Sequence, residues 1–77
     1  MNETIERLLK GNRDYVSSGA YAGDVSAYRR AENAAGQKPY AVVVTCSDSR
    51  VVPEAIFSAG IGELFVIRTA GNVITII

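Results

Sequence analysis

No histidine occurs anywhere in these 77 residues, and cysteine occurs once. The first absence excludes histidine-based acid–base catalysis and every histidine-containing metal site built from these residues alone. The second excludes an internal disulfide, one of the usual aids to so short a chain. An excess of charge of either sign is missing too: eight basic residues balance eight acidic ones. Neither nucleic acid nor an anionic membrane is therefore expected as a partner. Apolar runs long enough to span a bilayer are absent. The opening Met1-Asn2-Glu3-Thr4 is polar and acidic, so no signal peptide is expected. A reducing, cytoplasmic setting is the expected location, where a free thiol is tolerated. Internal repeats and low-complexity segments are likewise absent.

What is present is a globular composition, 48% hydrophobic, in a length that permits one small domain. Such a chain buries only about 60% of its unfolded surface. With disulfides excluded, a metal or self-association is left to support it. Residues 3–18 carry Ile5, Leu8, Leu9, Tyr15 and Val16 at helical spacing, with Glu3 and Glu6 in the first turn and Gly19 as a stop. This stripe is expected to pack on a core or a neighbour. Residues 19–23 read as a flexible joint. Asp24 is expected to cap a second helix over 25–35, with Val25, Tyr28, Ala31 and Ala35 as its apolar stripe. Arg29, Arg30 and Glu32 read as a solvated face.

After Gln37-Lys38-Pro39, the nearly continuous Val/Ala run Tyr40 to Thr45 reads as a strand buried on both faces, as in parallel sheets. Pro53 and Glu54 suit the start of a short helix that Gly60 ends. Gly62 then turns the chain into a second strand, Leu64 to Arg68. Strand, helix, strand is a βαβ unit with a right-handed crossover. Thr69-Ala70-Gly71-Asn72 makes a polar loop at the same sheet edge, followed by the apolar Val73 to Ile77. The fold class is α/β: a helical arm over 1–36, then the βαβ opening of a parallel sheet over 37–77. Two parallel strands are too few for an independent sheet, so the chain is expected to be the first part of a larger, truncated domain.

Chemistry concentrates where the first strand ends. Cys46, Asp48 and Arg50 follow one another at two-residue intervals, which in extended backbone aims their side chains one way. Open parallel sheets build their sites past the carboxyl ends of their strands. Taken alone, a single cysteine reads as a small buried hydrophobe. Asp48 and Arg50 read either as a structural ion pair or as a carboxylate clamped in one orientation. Other readings fail on spacing. Three residues separate Cys46 from Arg50, where cysteine phosphatases place five. Phe65 stands where a dinucleotide fingerprint needs its third glycine, and no Walker A loop exists. A Cys–His hydrolase needs a histidine.

The segment Cys46-Ser47-Asp48-Ser49-Arg50, with Gln37-Lys38-Pro39 before it and Gly60-Ile61-Gly62-Glu63-Leu64-Phe65-Val66-Ile67-Arg68-Thr69-Ala70-Gly71-Asn72 after it, resembles the β-class carbonic anhydrases. The match is dense over residues 37–73. Leu8-Leu9-Lys10-Gly11-Asn12-Arg13 also resembles the N-terminal arm of that family. The resemblance implies Cys46 as a zinc ligand and Asp48 as acceptor of a hydrogen bond from zinc-bound water, or as a ligand itself in a closed form. It implies Arg50 as the group holding Asp48, these two being a catalytic dyad, and Gln37 as a substrate-binding residue reaching across a dimer interface. The implied reaction is the reversible hydration of carbon dioxide to bicarbonate, a lyase chemistry, in a homodimer or higher homo-oligomer.

That family completes its zinc site with a later His-x-x-Cys pair, which these residues do not contain. The chain is accordingly expected to be inactive alone, because catalytic zinc takes three protein ligands and a water. A different class of function stays open: a non-catalytic remnant that associates with itself or an intact homologue through its helices and edge strands. So does a metal or anion held between the Cys46 thiols of two chains.

Overall fold

The computed structural model describes residues 2–72. The expected apolar tail, Val73 to Ile77, lies outside the described residues. Helix α1 runs Glu3–Ser18, as the spacing predicts. The Asn2 side chain caps it by accepting from the Ile5 N–H at 2.9 Å. Gly19 closes it in the left-handed region, φ 68°, donating its N–H to the Tyr15 carbonyl.

Helix α2 is shorter than expected, Ala27–Glu32, and Ser26 rather than Asp24 caps it. The Ser26 side chain accepts from the Arg29 N–H, while the Asp24 carboxylate accepts from the Ser26 N–H. Asp24 is held elsewhere: its carbonyl accepts from the Ile61 N–H at 2.9 Å. Gly60 permits this approach, since a Cβ there would stand 2.6 Å from Asp24 backbone atoms. The segment 19–23 is therefore not a free joint, and Tyr21 reinforces it by donating its hydroxyl to the Ala59 carbonyl. Nor is Arg29 merely solvated, because its Nε donates to the Ile61 carbonyl at 2.9 Å.

Strands β1 (Ala41–Cys46) and β2 (Leu64–Thr69) pair in parallel, from Ala41 beside Leu64 to Cys46 beside Thr69. Between them lies the single-turn helix α3, Pro53–Ile56, with Pro53 at its first turn and buried. It ends before Gly60. Ser58 takes a left-handed conformation, φ 50°. Its N–H donates to the Ala55 carbonyl, and the next N–H, that of Ala59, donates to the Glu54 carbonyl. This is a Schellman closure with serine in the usual glycine position. A 3₁₀ turn, Ala70–Asn72, follows β2.

Among the described residues the sheet is covered on one face only, which corrects the expectation of a strand buried on both. Side chains alternate along each strand, so the register sets Ala41, Val43, Leu64 and Val66 on one face and Val42, Val44, Phe65 and Ile67 on the other. Leu64 is buried, whereas Val42, Phe65 and Ile67 are exposed. By the same alternation Cys46 and Thr69 belong to the open face.

The face that α1 docks takes in only part of the apolar stripe, with Leu8 and Tyr15 partly buried. Ile5, Leu9 and Val16 are exposed in the single chain. Docking runs instead through Gly11, the only buried residue of the helix, and its neighbours. Asn12 Nδ2 donates to the Ile56 carbonyl at 2.8 Å, and Ser58 Oγ donates to the Gly11 carbonyl at 2.7 Å. Arg7 pairs with Glu63 at 2.8 Å and lies 3.8 Å from the centre of the Tyr40 ring. Backbone proximity and polar bonds, more than apolar burial, attach the arm.

Candidate active site

Past Cys46 the chain leaves the strand and turns. The Ser47 N–H continues the ladder, donating to the Thr69 carbonyl at 2.9 Å. The Asp48 carboxylate then folds back on its own backbone: Oδ1 accepts from the Arg50 N–H at 2.9 Å. This local Asx turn, not extended backbone, brings Asp48 and Arg50 together. Arg50 Nε reaches Oδ1 at 3.0 Å and Oδ2 at 3.1 Å, and Nη2 also donates to Oδ2. Asp48 is half-buried, while the Arg50 side chain is 87% exposed. The guanidinium thus grips the carboxylate from the solvent side in a fork geometry that a lysine could not supply.

The Arg50 side chain, then its backbone N–H, hold the Asp48 carboxyl below the usual carboxylate range, and the charge of Arg68 adds to this. Asp48 is therefore ionised at neutral pH and offers lone pairs as an acceptor. Cys46 is intermediate in burial rather than enclosed. The backbone N–H groups of Asp48 and Gly71 depress its pKa; partial burial and the Asp48 carboxylate act the other way, and the Ser47 N–H adds a smaller depression. Amide donors aimed at sulfur favour thiolate. Beside it, Thr69 Oγ1 is buried and has no hydrogen-bond partner among the described residues.

Cys46, Asp48 and Arg50 thus stand together at the carboxyl end of β1. Gln37 does not join them. It is exposed on the connection entering β1 at its other end, with roughly 16 Å of strand between Ala41 and Cys46. Sequence reasoning missed Arg68, whose guanidinium donates to the carbonyls of Cys46 at 3.0 Å, Asp48 at 3.1 Å and Val51 at 2.6 Å. Its signal was available: an arginine closing an otherwise apolar strand, in register with Thr45. Among the described residues, no three His, Cys, Asp or Glu side chains gather closely enough to hold a metal ion. No helix among them is long and apolar enough to cross a membrane.

Comparison with known proteins gives this geometry a context. Residues 41–76 match the family model described as carbonic anhydrase. Carbonic anhydrase 2 of Mycobacterium tuberculosis is 49% identical over 67 residues, 87% of this chain and 32% of that protein. Carbonic anhydrase of Synechococcus elongatus is 58% identical over 70 residues, 91% of this chain and 25% of that protein. For the Pseudomonas aeruginosa carbonic anhydrase the values are 40% over 74 residues, 96% and 30%. The chain spans a third or less of the length of these curated relatives. By these matches the chain is similar to the carbonic anhydrases, and its N-terminal helix and parallel strand pair are consistent with the N-terminal region of the β class.

Proposed function

We propose that this chain supplies the cysteine and the Asp–Arg dyad of a carbonic anhydrase site, one that interconverts carbon dioxide and bicarbonate. The observation that carries this reading is the grip of Arg50 on Asp48 through both side chain and backbone, beside a thiol with a depressed pKa. A carboxylate held ionised and fixed in direction can accept a hydrogen bond from a reacting water or hydroxide, and so orient its lone pairs. Arg50 holds Asp48, and Asp48 orients the oxygen nucleophile.

The family implies zinc, with Cys46 as ligand and Asp48 as a second one at most. Catalytic zinc takes three protein ligands and an open position. The donors of these 77 residues do not make that set, and no step at a metal follows from them. The remaining ligands have to come from outside these 77 residues, which alone do not turn over. Gln37, at the far end of β1, serves as a substrate-binding residue for the site of a second copy, in a homodimer or larger assembly. We read residues 1–36 and 37–77 as the arm and the sheet opening of one domain, working in a reducing cytoplasm.

Stopped-flow hydration assays with zinc analysis test this. The 77-residue chain alone should show neither turnover nor stoichiometric zinc. Adding the remaining segment of a relative should restore both, and Asp48→Asn in the restored enzyme should lower kcat by about a hundredfold or more. Restored turnover indifferent to Asp48→Asn would overturn the role of the dyad. Turnover by the 77 residues unaided would overturn the need for further ligands.

The exposed Ile5, Leu9 and Val16 of α1 and the open sheet face favour a second reading, self-association without catalysis. Sizing chromatography tests the association, against which a stable monomer at micromolar concentration would count, and restored turnover separates the two readings.

A further inference from the structure

The turn that carries Asp48 has few backbone bonds of its own. The Ser47 N–H reaches the Thr69 carbonyl, and the Val51 N–H reaches the Asp48 carbonyl only at 3.4 Å. Three carbonyls of this turn, those of Cys46, Asp48 and Val51, converge instead on one side chain from the neighbouring strand. Arg68 Nη1 donates to the first two at 3.0 and 3.1 Å, and Nη2 donates to the third at 2.6 Å. We infer that Arg68 is the positioning residue of the site, a clamp that fixes the turn so that Cys46 and Asp48 keep their relative placement.

The physical case rests on peptide planarity. A carbonyl held at its oxygen fixes the plane of its whole peptide unit. The plane after Cys46 borders the thiol-bearing Cα, and the plane after Asp48 borders the carboxylate-bearing Cα. Holding both leaves little freedom in the chain between them. The register explains why Arg68 can do this: it lies beside Thr45, one residue before the strand ends, so its long side chain reaches forward over the turn. Guanidinium suits the task because its rigid planar fork carries five N–H donors. An ammonium is a point charge on a flexible stem and cannot hold three separated carbonyls in fixed directions. Arg50 and Arg68 therefore divide the work: the first grips the Asp48 carboxylate, the second the backbone beneath it.

This role presupposes that Cys46 and Asp48 serve the site proposed above. Amide hydrogen exchange reads the geometry of the turn without turnover, so the clamp and the carbonic anhydrase reading can fail separately. Arg68→Gln and Arg68→Lys are compared with the parent chain at two amides. The Arg50 N–H, which donates to Asp48 Oδ1, reports on the turn. The Tyr40 N–H, which donates to the Glu63 carbonyl at the other end of the sheet, reports on the fold. Both variants should speed exchange at Arg50 by about tenfold or more while Tyr40 stays within about twofold. Unchanged exchange at Arg50 in Arg68→Gln would overturn the clamp. So would a parallel rise at Tyr40, which would make Arg68 a general stabiliser, and so would full protection in Arg68→Lys, which would reduce its role to charge.

Discussion

Gly11 of α1 lies so close to Phe57 that a Cβ on the glycine would stand 1.8 Å from the Phe57 carbonyl oxygen. The obstacle is backbone, which cannot swing aside as a side chain can. On an exposed helix, alanine in place of glycine gains about 1 kcal/mol. Here overpacking costs about 1–3 kcal/mol or more and also breaks the bonds of Asn12 and Ser58 that the close approach permits. Gly11→Ala should therefore destabilise the chain by about 2 kcal/mol in urea unfolding. A stabilised variant would mean that α1 is not docked as described.

Ser58 pairs a left-handed backbone with a hydroxyl bonded to the Gly11 carbonyl. A non-glycine residue in that region costs roughly 1–2 kcal/mol, and one neutral hydrogen bond returns about 1 kcal/mol. Ser58→Gly removes the cost together with the bond and should be nearly neutral. Ser58→Ala keeps the cost and loses the bond, and should destabilise by about 1 kcal/mol. Urea midpoints in the opposite order would refute this account of the α3 closure.

With one cysteine in the chain, alkylation by iodoacetamide reads Cys46 alone. The amides of Asp48 and Gly71 depress its pKa, while the Asp48 carboxylate raises it. The rate should reach half its maximum at a lower pH than for an unperturbed cysteine thiol. Asp48→Asn removes the opposing negative charge and should move that midpoint lower still. A midpoint that rises in Asp48→Asn would show that the turn, and not the charge, governs the thiol.

Tyr21 tests the docking of the joint through pH. Burial first, then the carboxylates of Glu54 and Glu63, raise its phenol pKa above the ordinary value near 10. The folded chain therefore favours the neutral phenol that donates to the Ala59 carbonyl. Its contribution is complete below the unfolded value and disappears as pH rises through the folded one. Tyr21→Phe should be less stable than the parent by about 1 kcal/mol at pH 7, and the difference should shrink above about pH 10. A difference that stays constant from neutral pH to about pH 11 would show that ionisation of this phenol is not linked to folding.

Much of this architecture is legible in the residues. The ends of α1 and the βαβ order follow from spacing and stop residues, because those signals are local, whereas an Asx turn and not the two-residue spacing joins Asp48 to Arg50. The failures share a cause. The docked face of α1 centres on Gly11, with Arg7 and Asn12 beside it, and leaves Ile5, Leu9 and Val16 outside, since a close backbone approach leaves no hydrophobic signature. Ser26 displaces Asp24 as a cap because a distant amide, that of Ile61, occupies the Asp24 backbone. Arg68 reads as the end of a strand until the fold brings three carbonyls to it.

The open face of the sheet makes the thiol a sensor of its surroundings. Val42, Val44, Phe65 and Ile67 form an apolar track that ends at Cys46 and Thr69. Any layer laid on that track extends towards the sulfur and strips water from it, and desolvation favours thiol over thiolate. The amide donors then have to work against a drier environment. At constant pH, slower alkylation of Cys46 would mark the moment at which this face acquires its cover.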